Sequence, residues 1–131
     1  MIHHARGTFD VRVEPITLAE APELAAMSIA KSFDGDLVGL ASGLMLSGGD
    51  PDAGSAGYVA IEIVEGQIEG RVGRFALQQF GTLTDGDYSL TYLVTPGSGD
   101  GAFDGMTGEL ELTMVDGVHH YDLAWRVPRT A

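Results

Sequence analysis

The chain contains no cysteine, which excludes disulfide bonds and thiol nucleophiles alike. Basic residues are scarce: 7 Lys and Arg stand against 19 Asp and Glu, for a net charge of −12. That balance argues against nucleic acid and anionic membrane surfaces as partners, since both need clustered positive charge. Its plainest meaning is a soluble acidic surface. No apolar run approaches the ~20 residues of a membrane-spanning helix, and "MIHHARGTF" lacks the charged and apolar regions of a signal peptide. A cytoplasmic protein is therefore expected. Proline is sparse, and no window of helical length repeats with a period of about 3.6 residues.

Glycine and period-two patterning are what the chain has instead. Its 19 glycines are about twice the usual share of ~7%, which points to many turns. "GTFDVRVEP" (7–15) sets Phe9, Val11 and Val13 against Asp10, Arg12 and Glu14. Further strands are expected at about 25–33, 37–47, 57–68, 74–84, 87–95, 108–115 and 118–127, eight in all. "ITLAEAPEL" (16–24) allows one helical turn, limited by Pro22. His3 and His4 read as part of a flexible terminus, and "SGGDPDAGSAG" (47–57) and "TPGSGDGAFDG" (95–105) read as long loops. No domain boundary interrupts residues 1–131, a length that buries a real core without staples.

Asp-Gly stands between strand patterns at 34–35, 85–86 and 116–117, where a two-residue hairpin turn needs positive φ at both positions. Each such turn predicts a register. The turn at 116–117 sets Met114 opposite His119, Leu112 opposite Tyr121 and Leu110 opposite Leu123. The turn at 85–86 sets Leu83 opposite Tyr88 and Gln79 opposite Tyr92. The turn at 34–35 sets Lys31 opposite Val38 and Ile29 opposite Leu40. Sequential antiparallel strands leave open edges unless they close or split into two sheets. An eight-stranded antiparallel up-and-down β-barrel fits short consecutive hairpins better than the alternative, a two-sheet sandwich.

The expected lumen is mostly apolar and includes Phe9, Ile29, Leu40, Leu44, Phe75, Leu77, Leu90, Leu112, Met114 and Trp125. Lys31, Gln79, Tyr88, Tyr92, His119 and Tyr121 are its polar members, the composition of a small-molecule site. Each has a bland reading beside the functional one. Gln79 and Tyr92 can be a buried hydrogen-bonded pair, His119 a solvated rim residue, Tyr121 and Trp125 core fillers, and Lys31 a stem reaching water. Glu62 shares a face with Tyr58, Ala60 and Val64 that is expected to point outward. A slip of one residue in the hairpin through "EGRVG" (69–73) would instead place it in the lumen as the only carboxylate. Outward Tyr58, Val64, Phe80 and Leu93 suggest a homo-oligomer. No metal site is expected: His120 and Asp122 share an outward face without a third ligand, and "GSGDGAFDG" lacks the spacing of a calcium loop.

"GYVAIEIVEGQIEGRVGRFALQQFGTL" (57–83), with "FDGDLVGLASGLML" (33–46) and "DGVHHYDLAW" (116–125), resembles the bacterial DUF3224 family, over nearly the whole chain from "GTFDV" onward. The family is similar to the allene oxide cyclase-like barrels, which implies eight antiparallel strands and has no established activity attached. Its pattern often has a His after the Gln of the "LQ" element, where this chain has Gln79, so a histidine acid–base group is not expected there. By analogy with cofactor-free cyclases of such barrels, the expected function is a cyclase or isomerase acting, without cofactor, on a small apolar oxygen-bearing molecule in the lumen. The candidate catalytic residues are His119, Tyr121, Gln79 and Glu62, with His119 as proton shuttle; Tyr92, Tyr88, Trp125, Leu77, Leu112 and Met114 are the candidate ligand-binding residues. A non-catalytic binding barrel and a filled structural barrel are the alternatives.

Overall fold

The computed structural model describes residues 1–128. Its strands are β1 (His3–Ile16), β2 (Ala25–Gly35), β3 (Leu37–Asp50), β4 (Ser55–Ile68), β5 (Arg71–Thr84), β6 (Asp87–Val94), β7 (Asp100–Gly101), β8 (Thr107–Val115) and β9 (Val118–Arg126), with one 3-10 turn at Pro51–Ala53. Strands β1 to β6 pair in succession, β6 meets β8, β8 pairs with β9, and β9 returns to β1. Eight long strands thus close an antiparallel up-and-down barrel, and β7 is a two-residue addition at one end of β5. Segment 17–24 forms no helix. Among the described residues no helix is long and apolar enough to cross a membrane.

Three two-residue turns set most of the register. Asp85-Gly86 and Asp116-Gly117 have positive φ at both positions. They pair Gln79 with Tyr92 and Met114 with His119, as their sequence predicts. The third is Glu69-Gly70, with φ of 52° and 77°, where Ile68 pairs directly with Arg71. Because this turn has two residues rather than a longer loop, Tyr58, Ala60, Glu62 and Val64 point into the barrel. The outward placement expected for that face is corrected.

The Asp34-Gly35 hairpin does not form. Strand β1 pairs with β2 as far as Gly35, so these two residues belong to the strand. The chain then turns a wider corner, and Lys31 pairs with Ala41 instead of Val38. Three residues is an odd shift, and an odd shift exchanges the two faces of β3. Leu40 and Leu44 therefore lie outside, while Leu37, Ala41 and Met45 take the inner positions. The Tyr121 hydroxyl holds this corner: it accepts from Leu37 N at 2.9 Å and lies 2.9 Å from the Asp34 carbonyl, to which it donates. Tyr121→Phe should lower stability by about 1–3 kcal/mol, because buried backbone groups lose their partner. Urea unfolding checks this, and a change under about 0.5 kcal/mol would remove the hydroxyl from the corner's support.

The amino terminus is part of the barrel, contrary to the flexible end expected from His3 and His4. Both lie in β1; His3 stacks on Trp125 at 4.7 Å, and His4 Nδ1 and Arg6 Nε contact the Asp122 carboxylate at 2.8 and 3.0 Å. The His4 contact, with the Arg6 guanidinium beside it, holds the Asp122 carboxyl below its ordinary range. Asp122 is thus engaged by β1.

One end of the barrel is shut. Leu37, Ile68, Phe75, Leu123 and Trp125 are fully buried there, and loop 95–106 adds Phe103 and Met106. On the outer wall, Leu44, Val59, Ile61, Ile63 and Phe80 of adjacent strands β3, β4 and β5 are about half exposed and contiguous through the Leu44–Ile61 and Val59–Phe80 pairs. Of the apolar residues expected outside, Phe80 and Leu93 belong to this side, whereas Tyr58 and Val64 point inward.

Candidate functional site

The other half of the lumen is an open cavity of about 570 Å³. Its wall is largely apolar, with Phe9, Val11, Val13 and Ile29 on one side and Leu90, Leu112 and Met114 on the other. Exposed Tyr88 and Met114 mark the mouth. The volume falls within the ~300–1,000 Å³ of ordinary small-molecule sites.

Polar groups reach this cavity at two levels. Near the mouth, the Tyr58 hydroxyl donates to Gln79 Oε1 at 2.9 Å and lies 3.1 Å from the Tyr88 hydroxyl. Gln79, which faces Tyr92 in register, therefore finds its hydrogen-bond partner on β4. The ring of Tyr58 fits because residue 81, opposite it, is glycine; a Cβ there would collide with the ring. Burial, with the Tyr88 hydroxyl beside it, raises the Tyr58 hydroxyl well above the ordinary tyrosine range.

Beneath the cavity lies a compact acid–base cluster, of which Lys31 lines the cavity wall while Glu62 and Tyr92 are buried behind it. Lys31 from β2, Glu62 from β4 and Tyr92 from β6 meet across the lumen. Lys31 Nζ lies 3.0 Å from Glu62 Oε1 and 2.7 Å from Tyr92 Oη, and the Tyr92 hydroxyl donates to the same carboxylate oxygen at 2.5 Å. Lys31 and Glu62 are only 6% and 2% exposed. The ammonium also sits over the rings of Phe9 and Tyr92, at 4.7 and 5.1 Å. Glu62 Oε2 is buried and has no hydrogen-bond partner among the described residues. Burial lowers the Lys31 ammonium despite the opposing pull of Glu62. Burial and the Glu62 carboxylate together push the Tyr92 hydroxyl up. The backbone permits this meeting at Gly43, which faces Glu62 across β3 and β4: a Cβ there would come within 2.6 Å of Glu62 Cα.

Lys31 is the single lysine of the chain; the other six basic residues are arginines. A buried ion pair held for geometry alone is usually built with arginine, whose planar fork matches a carboxylate and whose charge is permanent. Lysine is the residue whose amine can be neutralised by burial and made reactive.

The residues singled out from sequence divide by depth. Gln79, Tyr88, Leu112, Met114 and His119 line the cavity, His119 stacking on Phe9 at 4.8 Å. Glu62 and Tyr92 belong to the cluster with Lys31. Tyr121 lies apart, its hydroxyl committed to the backbone of the β2–β3 corner. Leu77 and Trp125 are core residues, Trp125 at the shut end. Among the described residues no three His, Asp or Glu side chains gather as a metal site. Lys31 lies in the lumen as expected, and its pairing with Glu62 was missed because the expected register puts Glu62 outside. A lone lysine on an apolar strand face was the available signal.

No curated protein matches the chain. A crystal structure of a DUF3224-family protein of unknown function from Shewanella oneidensis MR-1 is similar along its whole length, with 36% sequence identity, a TM-score of 0.87, and coverage of 99% of this chain and 100% of that one. The model of the family described as "Protein of unknown function (DUF3224)" matches residues 5–125. The barrel and this match over nearly the whole chain agree: the chain belongs to the DUF3224 family.

Proposed function

We propose that the protein takes a compact, apolar, oxygen-bearing molecule into the open half of its barrel and rearranges it without a cofactor, by isomerisation or ring closure. The observation that carries this reading is the Lys31–Glu62–Tyr92 cluster beneath an apolar cavity. Burying two charges is costly, and an apolar filling of the same space would often be equally stable. A carrier of apolar molecules needs no such cluster, whereas proton transfer between carbon atoms needs a desolvated acid and base within reach. Tyr58 and Gln79 above it are suited to orient the ligand's oxygen, and His119 can exchange protons at the mouth.

Binding and chemistry are tested separately. The neutral fluorophore N-phenyl-1-naphthylamine should bind with micromolar affinity, and Leu112→Trp, which fills the cavity, should weaken that binding at least about tenfold. For the chemistry, β,γ-unsaturated ketones such as 3-cyclohexenone should convert to the conjugated enone, followed by ultraviolet absorbance. Lys31→Met should slow the conversion by about 10²–10⁴-fold. A carrier without chemistry is the second reading, favoured by how fully Lys31 is already engaged. Fluorophore binding with no turnover of any unsaturated ketone would decide for it. Absence of both would leave the open cavity without a ligand and remove the proposal.

A further inference from the structure

We propose that Lys31 is a Schiff-base lysine, whose amine condenses with the carbonyl carbon of an apolar aldehyde or ketone held in the open lumen. This names the substrate class of the site above and rests on that reading of the cavity. Four observations lead to it. The chain's single lysine is placed inside the barrel, while all six arginines supply its other cationic side chains. Lys31 lines the cavity and its Nζ touches both a carboxylate and a phenol. Cysteine is absent, so Lys31 is the strongest nucleophile among the lining side chains. Glu62 keeps a second oxygen, without a partner among the described residues, available for a proton.

The step conserves atoms and charge. Glu62 takes a proton from the Lys31 ammonium, leaving a neutral amine and a carboxylic acid. The nitrogen lone pair attacks the carbonyl carbon, and the C=O π pair moves onto oxygen, which receives the Glu62 proton relayed through the Tyr92 hydroxyl; the nitrogen then gives one proton back to the Glu62 carboxylate. The carbon–oxygen bond of the carbinolamine then breaks, water leaves with a proton from Glu62, and the nitrogen pair closes the C=N bond. An iminium now faces the Glu62 carboxylate, so one positive and one negative charge occupy the site before and after. No oxidant or reductant is consumed. The iminium acidifies the neighbouring C–H bond, which is what isomerisation of an unsaturated carbonyl requires. Burial, which lowers the Lys31 ammonium, makes its proton easier to give up to the Glu62 carboxylate 3.0 Å away.

The test uses cyclohexanecarbaldehyde with sodium cyanoborohydride at neutral pH, read by intact mass and peptide mapping. The expected result is a single secondary amine at Lys31, formed at least about tenfold faster than with the polar aldehyde glyoxylate. Leu112→Trp should suppress it at least about tenfold, and Lys31→Arg, which keeps the charge but has no condensing amine, should abolish it. The amino-terminal amine serves as the internal standard for unassisted reactivity. Adducts at the amino terminus with none at Lys31 would overturn the proposal, as would Lys31 adducts indifferent to Leu112→Trp. Fluorophore binding without a Lys31 adduct would refute the condensation alone and leave the binding site standing. Loss of both would refute the two together.

Discussion

Glu62→Leu should destabilise the protein by about 3–5 kcal/mol at pH 7, measured by urea unfolding, because it strands the Lys31 ammonium in an apolar lumen. The partner charge is nearly inaccessible, at 6% exposure, and its remaining neighbours are the Tyr92 hydroxyl and two aromatic faces. Lys31→Met/Glu62→Leu should recover to within about 1 kcal/mol of the parent, since an apolar pair of similar volume replaces both desolvated charges. If the double variant is as unstable as Glu62→Leu, the pair is a structural need of the barrel and the argument for function from its cost collapses. If it recovers yet loses the cyclohexanecarbaldehyde adduct and ketone isomerisation, the cluster is kept for chemistry.

The penalty in Glu62→Leu should also shrink as pH rises. Burial already lowers the Lys31 ammonium in the parent, and removing Glu62 removes the main influence that opposes it. The unfolded chain holds that proton up to a pH of about 10.4. Between the lowered folded value and that limit the unfolded state binds more protons, so stability rises with pH. The tyrosines act in the opposite direction at higher pH. Tyr58, Tyr92 and Tyr121 are all raised, first by burial. Their contribution is complete below a pH of about 10 and is lost as pH climbs from there towards their folded values. Unfolding at pH 7, 9 and 11 should therefore show the Glu62→Leu deficit narrowing first, and both proteins weakening last.

What was legible in the sequence followed from turn chemistry. Asp85-Gly86 and Asp116-Gly117 adopt the positive φ pairs that their residues favour, so the strands around them, the inward placement of Gln79 opposite Tyr92, and the barrel itself could be read. Asp34-Gly35 has the same dipeptide without the turn. Strand β1 pairs with β2 through Gly35, and Tyr121 ties Asp34 and Leu37 into a wider corner; neither long-range contact leaves a local trace. Glu69-Gly70 does the converse, making the tight turn with a residue less often found at positive φ. These two turns govern the faces of β3 and β4. The cluster joining β2, β4 and β6 was therefore the part least open to local reading, although its lone lysine was in plain view.

Phe103→Ala should cost about 3–5 kcal/mol, the usual range for deleting a fully buried aromatic side chain. Loop 95–106 is glycine-rich and reads as a surface connection, yet its backbone folds back on itself and on β5. Ala102 N donates to Val72 O at 3.2 Å, and Met106 N donates to Phe103 O at 2.9 Å. This fold carries Phe103, with 0% exposure, into the shut end of the barrel, edge-on to Phe75 at 5.3 Å and to Trp125 at 6.2 Å. Truncation leaves a void beside the chain's single tryptophan, so urea unfolding and a red shift of Trp125 emission should report the same event. A loss below about 1 kcal/mol would mean the loop is not a plug. Because the cavity opens at the other end, N-phenyl-1-naphthylamine binding below the variant's melting temperature should change less than about threefold, under ~1 kcal/mol. The fully buried core that Phe103 completes is thus set apart from the open cavity that Lys31 lines, which is why the two readouts should separate.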